Sequence, residues 1–86
     1  MNIAVKKIRK RLNLPQAEFG QLFGVHPMTV SRWERGEHDP TPYQQAMMNE
    51  FDKAANKAKI VDELKTLLIA AGVMAAIYFL LKAAQK

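Results

Sequence analysis

The stretch "LPQAEFGQLFGVHPMTVSRWERG", residues 14 to 36, decides the fold. It holds two short apolar-periodic segments between strong punctuation. Pro15 opens the first, in which Ala17, Phe19, Leu22 and Phe23 carry the apolar positions. Gly24 ends it, Val25 plugs the turn, and Pro27 opens the second segment. Proline is tolerated at a first helical position because its missing N–H has no partner there, and it presets φ for the helix. Gly36 is the matching stop signal. Glycine at position 24 allows a tight reversal between two packed helices, and alanine at Ala17 is expected to let them approach closely. Helix, tight turn, helix is the grammar of a helix-turn-helix unit.

The same reading extends in both directions. Upstream, Ile3 or Ala4, Val5, Ile8 and Leu12 recur at helical spacing, with Lys6, Lys7, Arg9, Lys10 and Arg11 on the other faces. Downstream, "GEHDPTP" is a polar loop, and Pro42 starts a fourth helix through "YQQAMMNEF". No segment has strand period and no internal repeat is found, so the fold class is all-α.

In residues 14 to 36 the leucine, the glutamine two positions on, the glycine–aliphatic turn and the final aromatic–Glu–x–Gly fall in one register. This register resembles the lambda-repressor-like Cro/Xre helix-turn-helix family, over about residues 3 to 50. The resemblance implies that the third helix enters the DNA major groove. It makes Pro27, Met28 and Arg32 the base-facing positions, and places Gln16, His26, Thr29, Ser31 and Arg35 near phosphates. It also implies a structural ion pair between Arg9 and Glu34.

Chemistry ranks these positions. Pro27 cannot donate a hydrogen bond to a base, and Met28 offers only apolar contact, as with a thymine methyl. Arg32 is the strongest base reader, because its fork matches guanine O6 and N7; the plainer role is a phosphate contact. His26 either caps the helix or touches phosphate. Val30 and Trp33 lie three apart on the opposite face, and are expected in the core. The Lys6, Lys7, Lys10 and Arg11 cluster reads as a solvated face, or as contacts to flanking DNA.

Bulk composition agrees with a nucleic-acid partner. The 86 residues carry thirteen Lys and Arg against eight Asp and Glu, a net charge of +5 suited to a polyanion. No cysteine is present, which removes disulfides and thiolate metal sites. His26 and His38 have no second ligand at suitable spacing, and no Ser–His–acid set or phosphate-cradling loop occurs. The sequence therefore predicts no catalytic residue, no metal, no cofactor and no small-molecule ligand. The N-terminus lacks an apolar signal-peptide core, so no Sec-type export is expected.

Beyond Phe51 the character changes. "DKAANKAKIVDELK" is charged and alanine-rich, and the run Thr66 to Leu81 has no charge. The expected division is a DNA-binding domain at 1–52 and a C-terminal helical segment at 53–86. With the core closing near residue 51, a chain ending at Asn56 is expected to fold alone. Within the tail Leu64, Leu67, Ala71, Met74, Tyr78 and Leu81 follow a 3-4 spacing and form a candidate dimer seam. Leu68, Ile69, Val73, Ile77, Phe79 and Leu80 are equally apolar off that seam, so this long helix must be covered on several sides. A membrane span is the rival: mean hydropathy reaches roughly 2 over 19 residues, and Gly72 and Ala76 make a small-xxx-small pair. Against it, the uncharged run gives about 24 Å of helix for a hydrocarbon core of ~30 Å. A third reading is an antitoxin-like tail that docks a partner protein.

These observations lead to one expectation. The protein is a sequence-specific binder of double-stranded DNA, a repressor acting as a homodimer on an inverted repeat, cytoplasmic and nucleoid-associated. An inner-membrane location through the C-terminal segment is the alternative.

Overall fold

A computed structural model describes residues 4–85; Ile3, one of the two alternative starts of the first apolar stripe, lies outside them. Six helices occur among the described residues: α1 Val5–Arg11, α2 Gln16–Phe23, α3 Pro27–Glu34, α4 Pro42–Ala54, α5 Ala58–Ala71 and α6 Val73–Gln85. None of the described residues is in a strand.

The local signals act as their chemistry requires. Pro15 is the N-cap of α2, in extended conformation, rather than its first helical residue. Gly24 caps the C-terminus in the left-handed region at φ 67° and ψ 31°. The fourth helix begins with a reciprocal capping box. Thr41 Oγ1 accepts from the Gln44 N–H at 3.1 Å, while Thr41 N–H donates to Gln44 Oε1 at 2.9 Å. Two of the orphan donors at the helix start are thereby satisfied.

The close approach between α2 and α3 is made by Gly20 and not by Ala17, which is exposed. A Cβ on Gly20 would sit 2.7 Å from the Val25 carbonyl oxygen and 3.3 Å from a Val30 methyl. Any side chain there would push the turn and α3 away from α2. Gly20 sits between Phe19 and Gln21 in the middle of an amphipathic helix, so its role is visible only once α3 is packed over it.

The C-terminal segment is not one long apolar helix. Gly72 sits at φ 99° and ψ 172°, a region essentially reserved for glycine, and the chain turns there. Helix α6 then packs back against α5, α4 and α2. Its apolar circumference is covered largely within the chain, which is how the all-round pattern is resolved. Leu64, Leu68, Ala76 and Leu80 join Leu12, Phe19, Leu22, Val30, Trp33, Met48, Phe51 and Ala54 in one core. A single core thus spans both sides of residue 52.

Two expectations about the tail are corrected by this break. Gly72 and Ala76 are not a helix-dimer motif, since Gly72 ends a helix and Ala76 is fully buried in the core. The membrane anchor also fails: among the described residues no helix is long and apolar enough to cross a membrane. The seam is divided in the same way. Leu64 is fully buried, Leu67 and Leu81 are half-buried, and Ala71, Met74 and Tyr78 are exposed. Only part of that stripe is available to another molecule.

Candidate nucleic-acid interface

Helix α3 is segregated into two faces. Val30 and Trp33 are buried, whereas Met28, 51% exposed, and Arg32 lie on the solvent side. The segregation follows from 3.6-residue periodicity, with positions 30 and 33 adjacent on one face and 28 and 32 adjacent on the other. Pro27 occupies the first turn and is half-buried.

His26 sets the start of this helix. Its Nδ1 accepts from the Met28 N–H at 3.0 Å, so the imidazole serves as the N-cap. An accepting Nδ1 places the neutral ring's proton on Nε2. That N–H points away from the cap interaction and remains a donor for an external oxygen. Capping and phosphate contact are therefore compatible for His26. Thr29 and Ser31, further along α3, are half-buried.

Arg35 is engaged within the chain. Its Nε donates to Glu37 Oε2 at 2.9 Å and a second nitrogen donates to Ser31 Oγ. The Arg35 guanidinium, by hydrogen bond and charge, holds the Glu37 carboxyl below its ordinary range, and Glu37 in turn raises Arg35. Both groups are exposed, and such pairs exchange readily with solvent or another anion. A phosphate reaching Arg35 would compete with Glu37 for it.

The side chains behind the interface form a tighter unit. Arg9 donates through Nε to Glu34 Oε2 at 2.5 Å and through a terminal nitrogen to Oε1 at 3.2 Å, a bidentate pair. The two side chains are only 13% and 6% exposed. Arg9 also donates to the Leu14 carbonyl at 3.0 Å, and Gln16 Nε2 donates to Glu34 Oε1 at 3.1 Å. Burial alone pushes the Glu34 carboxyl up. The hydrogen bonds from Arg9 and Gln16, with the positive charges of Arg9 and Lys6, outweigh it and leave Glu34 lowered. The Glu34 carboxylate thereby joins the end of α3 to α1 and the start of α2, and Arg9 extends the network to the α1–α2 turn through the Leu14 carbonyl. The resemblance implies that Gln16 braces the third helix as well as meeting a phosphate, and its bond to Glu34 is such a brace; the Leu14 carbonyl had no sequence signal as a member of this network.

Gln16 keeps a second capacity. It is the first residue of α2, where a main-chain N–H has no intrahelical acceptor. A helix start of this kind binds anionic oxygen. Arg11, assigned to a solvated face, instead pairs with Asp52 at 2.5 Å and reaches Asn56, tying α1 to the end of α4.

A family model described as helix-turn-helix matches residues 5–43, the span from the start of α1 through α3 to the opening of α4. No curated protein matches the chain, and no solved structure does.

Proposed function

We propose that the protein is a sequence-specific transcriptional repressor, a reading supported by the helix-turn-helix family model that matches residues 5–43 and by the resemblance of residues 14–36 to the lambda-repressor-like Cro/Xre family. It binds duplex DNA in the cytoplasm, on the nucleoid, and occludes polymerase at its operator. The observation that carries this reading is the two-faced α3. Its core side is fixed by Val30 and Trp33, and its outer side presents Met28 and Arg32 beyond a capped, proline-initiated first turn.

In this reading α3 lies in the major groove. Arg32 reads a guanine, Met28 packs on a thymine methyl, and Pro27 makes the leading contact. Gln16, His26, Thr29, Ser31 and Arg35 meet flanking phosphates, which fix register without reading sequence. Arg32→Ala is expected to relax preference at one base position, at a cost of about 1–3 kcal/mol against the cognate base. Binding-site selection with the variant checks this. Equal loss on every sequence would make Arg32 a phosphate contact.

One α3 covers a single half-site, so the proposal includes a homodimer on an inverted repeat. Support comes from the outer face of the tail, where Ile69, Met74 and Tyr78 are 69%, 78% and 67% exposed. They lie on the two helices that also line an apolar groove through Leu67, Ala75 and Phe79. A second copy of this face would cover both. Met74→Lys combined with Tyr78→Lys is expected to turn a dimer into a monomer by light scattering, without lowering the melting temperature of the protomer. Affinity for a two-half-site duplex should fall by roughly 10²–10⁴ as avidity is lost. An unchanged mass would place the contact elsewhere.

A further inference from the structure

A polar cleft of about 350 Å³ lies at the α1–α2 turn, lined by Arg9, Lys10, Asn13, Leu14, Pro15 and Lys65. Arg9, Lys10 and Asn13 come from α1 and the turn after it, and Pro15 caps α2. Lys65 comes from α5, some fifty residues further along the chain and outside the span matched by the helix-turn-helix family. Three cationic side chains thus converge on one cleft, and no carboxylate lines it. Among the described residues neither Lys10 nor Lys65 forms an ion pair. Arg9 has Glu34, but that pair is already complete. With Arg9 neutralised by Glu34, Lys10 and Lys65 are the two cations that face the cleft without a counter-charge; they repel one another, and an arriving anion removes that cost.

We propose that this cleft is a binding site for a backbone phosphate of duplex DNA and that Lys65, delivered by the tail, is one of its ligands. The inference rests on the DNA-binding reading above and extends it to a residue that the helix-turn-helix does not contain. Position selects a backbone phosphate over a base. The cleft abuts the start of α2, next to Gln16, whereas the base-facing side chains lie on the outer side of α3. When α3 sits in the groove, the phosphates beside that groove pass the start of α2. The Asn13 backbone, left-handed at φ 58°, ends α1 at the cleft's edge and brings the chain around to Pro15. Because α5 is held by Leu64 and Leu68 in the common core, Lys65 is presented from a fixed scaffold.

The test is the salt dependence of binding, measured with the full chain and a duplex from binding-site selection. Removing one phosphate contact lowers the slope of log K against log salt by about 0.9. Lys65→Ala is expected to show that reduction, with an equal fractional loss of affinity on selected and scrambled duplexes. Lys65→Arg should restore the slope. Lys53→Ala, an equal charge change outside the cleft, should leave the slope unaltered. Lys65 is exposed, so all variants should melt as the parent does. A Lys65→Ala slope identical to the parent's overturns the site while leaving the DNA-binding reading in place. A parent protein that binds no duplex overturns both.

Discussion

A chain ending at Asn56 is expected to lose cooperative folding altogether. Removing α5 and α6 takes Leu64, Leu68, Ala76 and Leu80 out of the core and uncovers the side of α4 and α2 on which α6 rests. Each buried leucine contributes roughly 1.5–3 kcal/mol, and Phe51 and Met48, both fully buried in the intact chain, would gain solvent contact. A domain of this size has a total stability of about 5–15 kcal/mol, so the remainder falls near or below zero. The truncated chain should show a broad, non-cooperative thermal trace by circular dichroism, with helix content well below that of the residues retained. A sharp transition in the truncated chain would mean that the helix-turn-helix part is self-sufficient and that the tail is only packed upon it.

The second large effect is expected at the Arg9–Glu34 pair. Arg9→Ala leaves the Glu34 carboxylate nearly enclosed with only Gln16 as donor. Breaking a buried pair costs roughly 3–5 kcal/mol, and partial solvent contact puts this one near 3. In a chain of this length that lowers the melting temperature by roughly 12–24 °C. Lys10→Ala, which removes an exposed charge one residue away, should change stability by about 0.5 kcal/mol or less. Equal melting temperatures for the two variants would refute the structural role of Arg9. Acidity supplies an independent readout. The folded state holds Glu34 below its ordinary value of 4.5, so it favours the ionised form. The stability this contributes is complete above pH 4.5 and disappears as pH falls through the lowered folded value. Glu34→Gln should remove that part of the acid dependence while lowering stability at neutral pH.

The helix-turn-helix was legible because its signals are local. Pro27, Gly24 and Gly36 each announce a boundary by backbone chemistry alone, and the spacing of Val30 and Trp33 identifies the buried face of α3 without knowledge of its neighbour. The tail was not legible for the opposite reason. A helix apolar on all sides has no periodicity that ranks its faces, so Leu64 and Met74 look alike in sequence although one is buried and the other exposed. Gly72 was equally ambiguous, since a glycine in an apolar run fits a close helix contact as well as a chain reversal. Its φ of 99° resolves that choice only once the return of α6 onto α4 is known. At the interface, the family resemblance pointed to Arg9 and Glu34, but the Leu14 carbonyl is a main-chain group that sequence does not mark. Lys65 could not be placed beside α1 before the path of the tail was known.

The two-faced α3 also bears on how such a protein can change its address. Met28 and Arg32 contribute nothing to the core, whose claims on that helix are met by Val30 and Trp33. Replacements at positions 28 and 32 are therefore nearly free of folding cost, and if α3 reads bases as proposed, a population of variants can wander through operator preferences without passing through unfolded intermediates. Glu34 sits on the same short helix under the opposite regime, since a change there must be matched at Arg9 and Gln16 together. The helix thus carries a freely editable lettering on a plate whose fastenings are fixed, and descendants of this chain should diverge in what they read long before they diverge in how they fold.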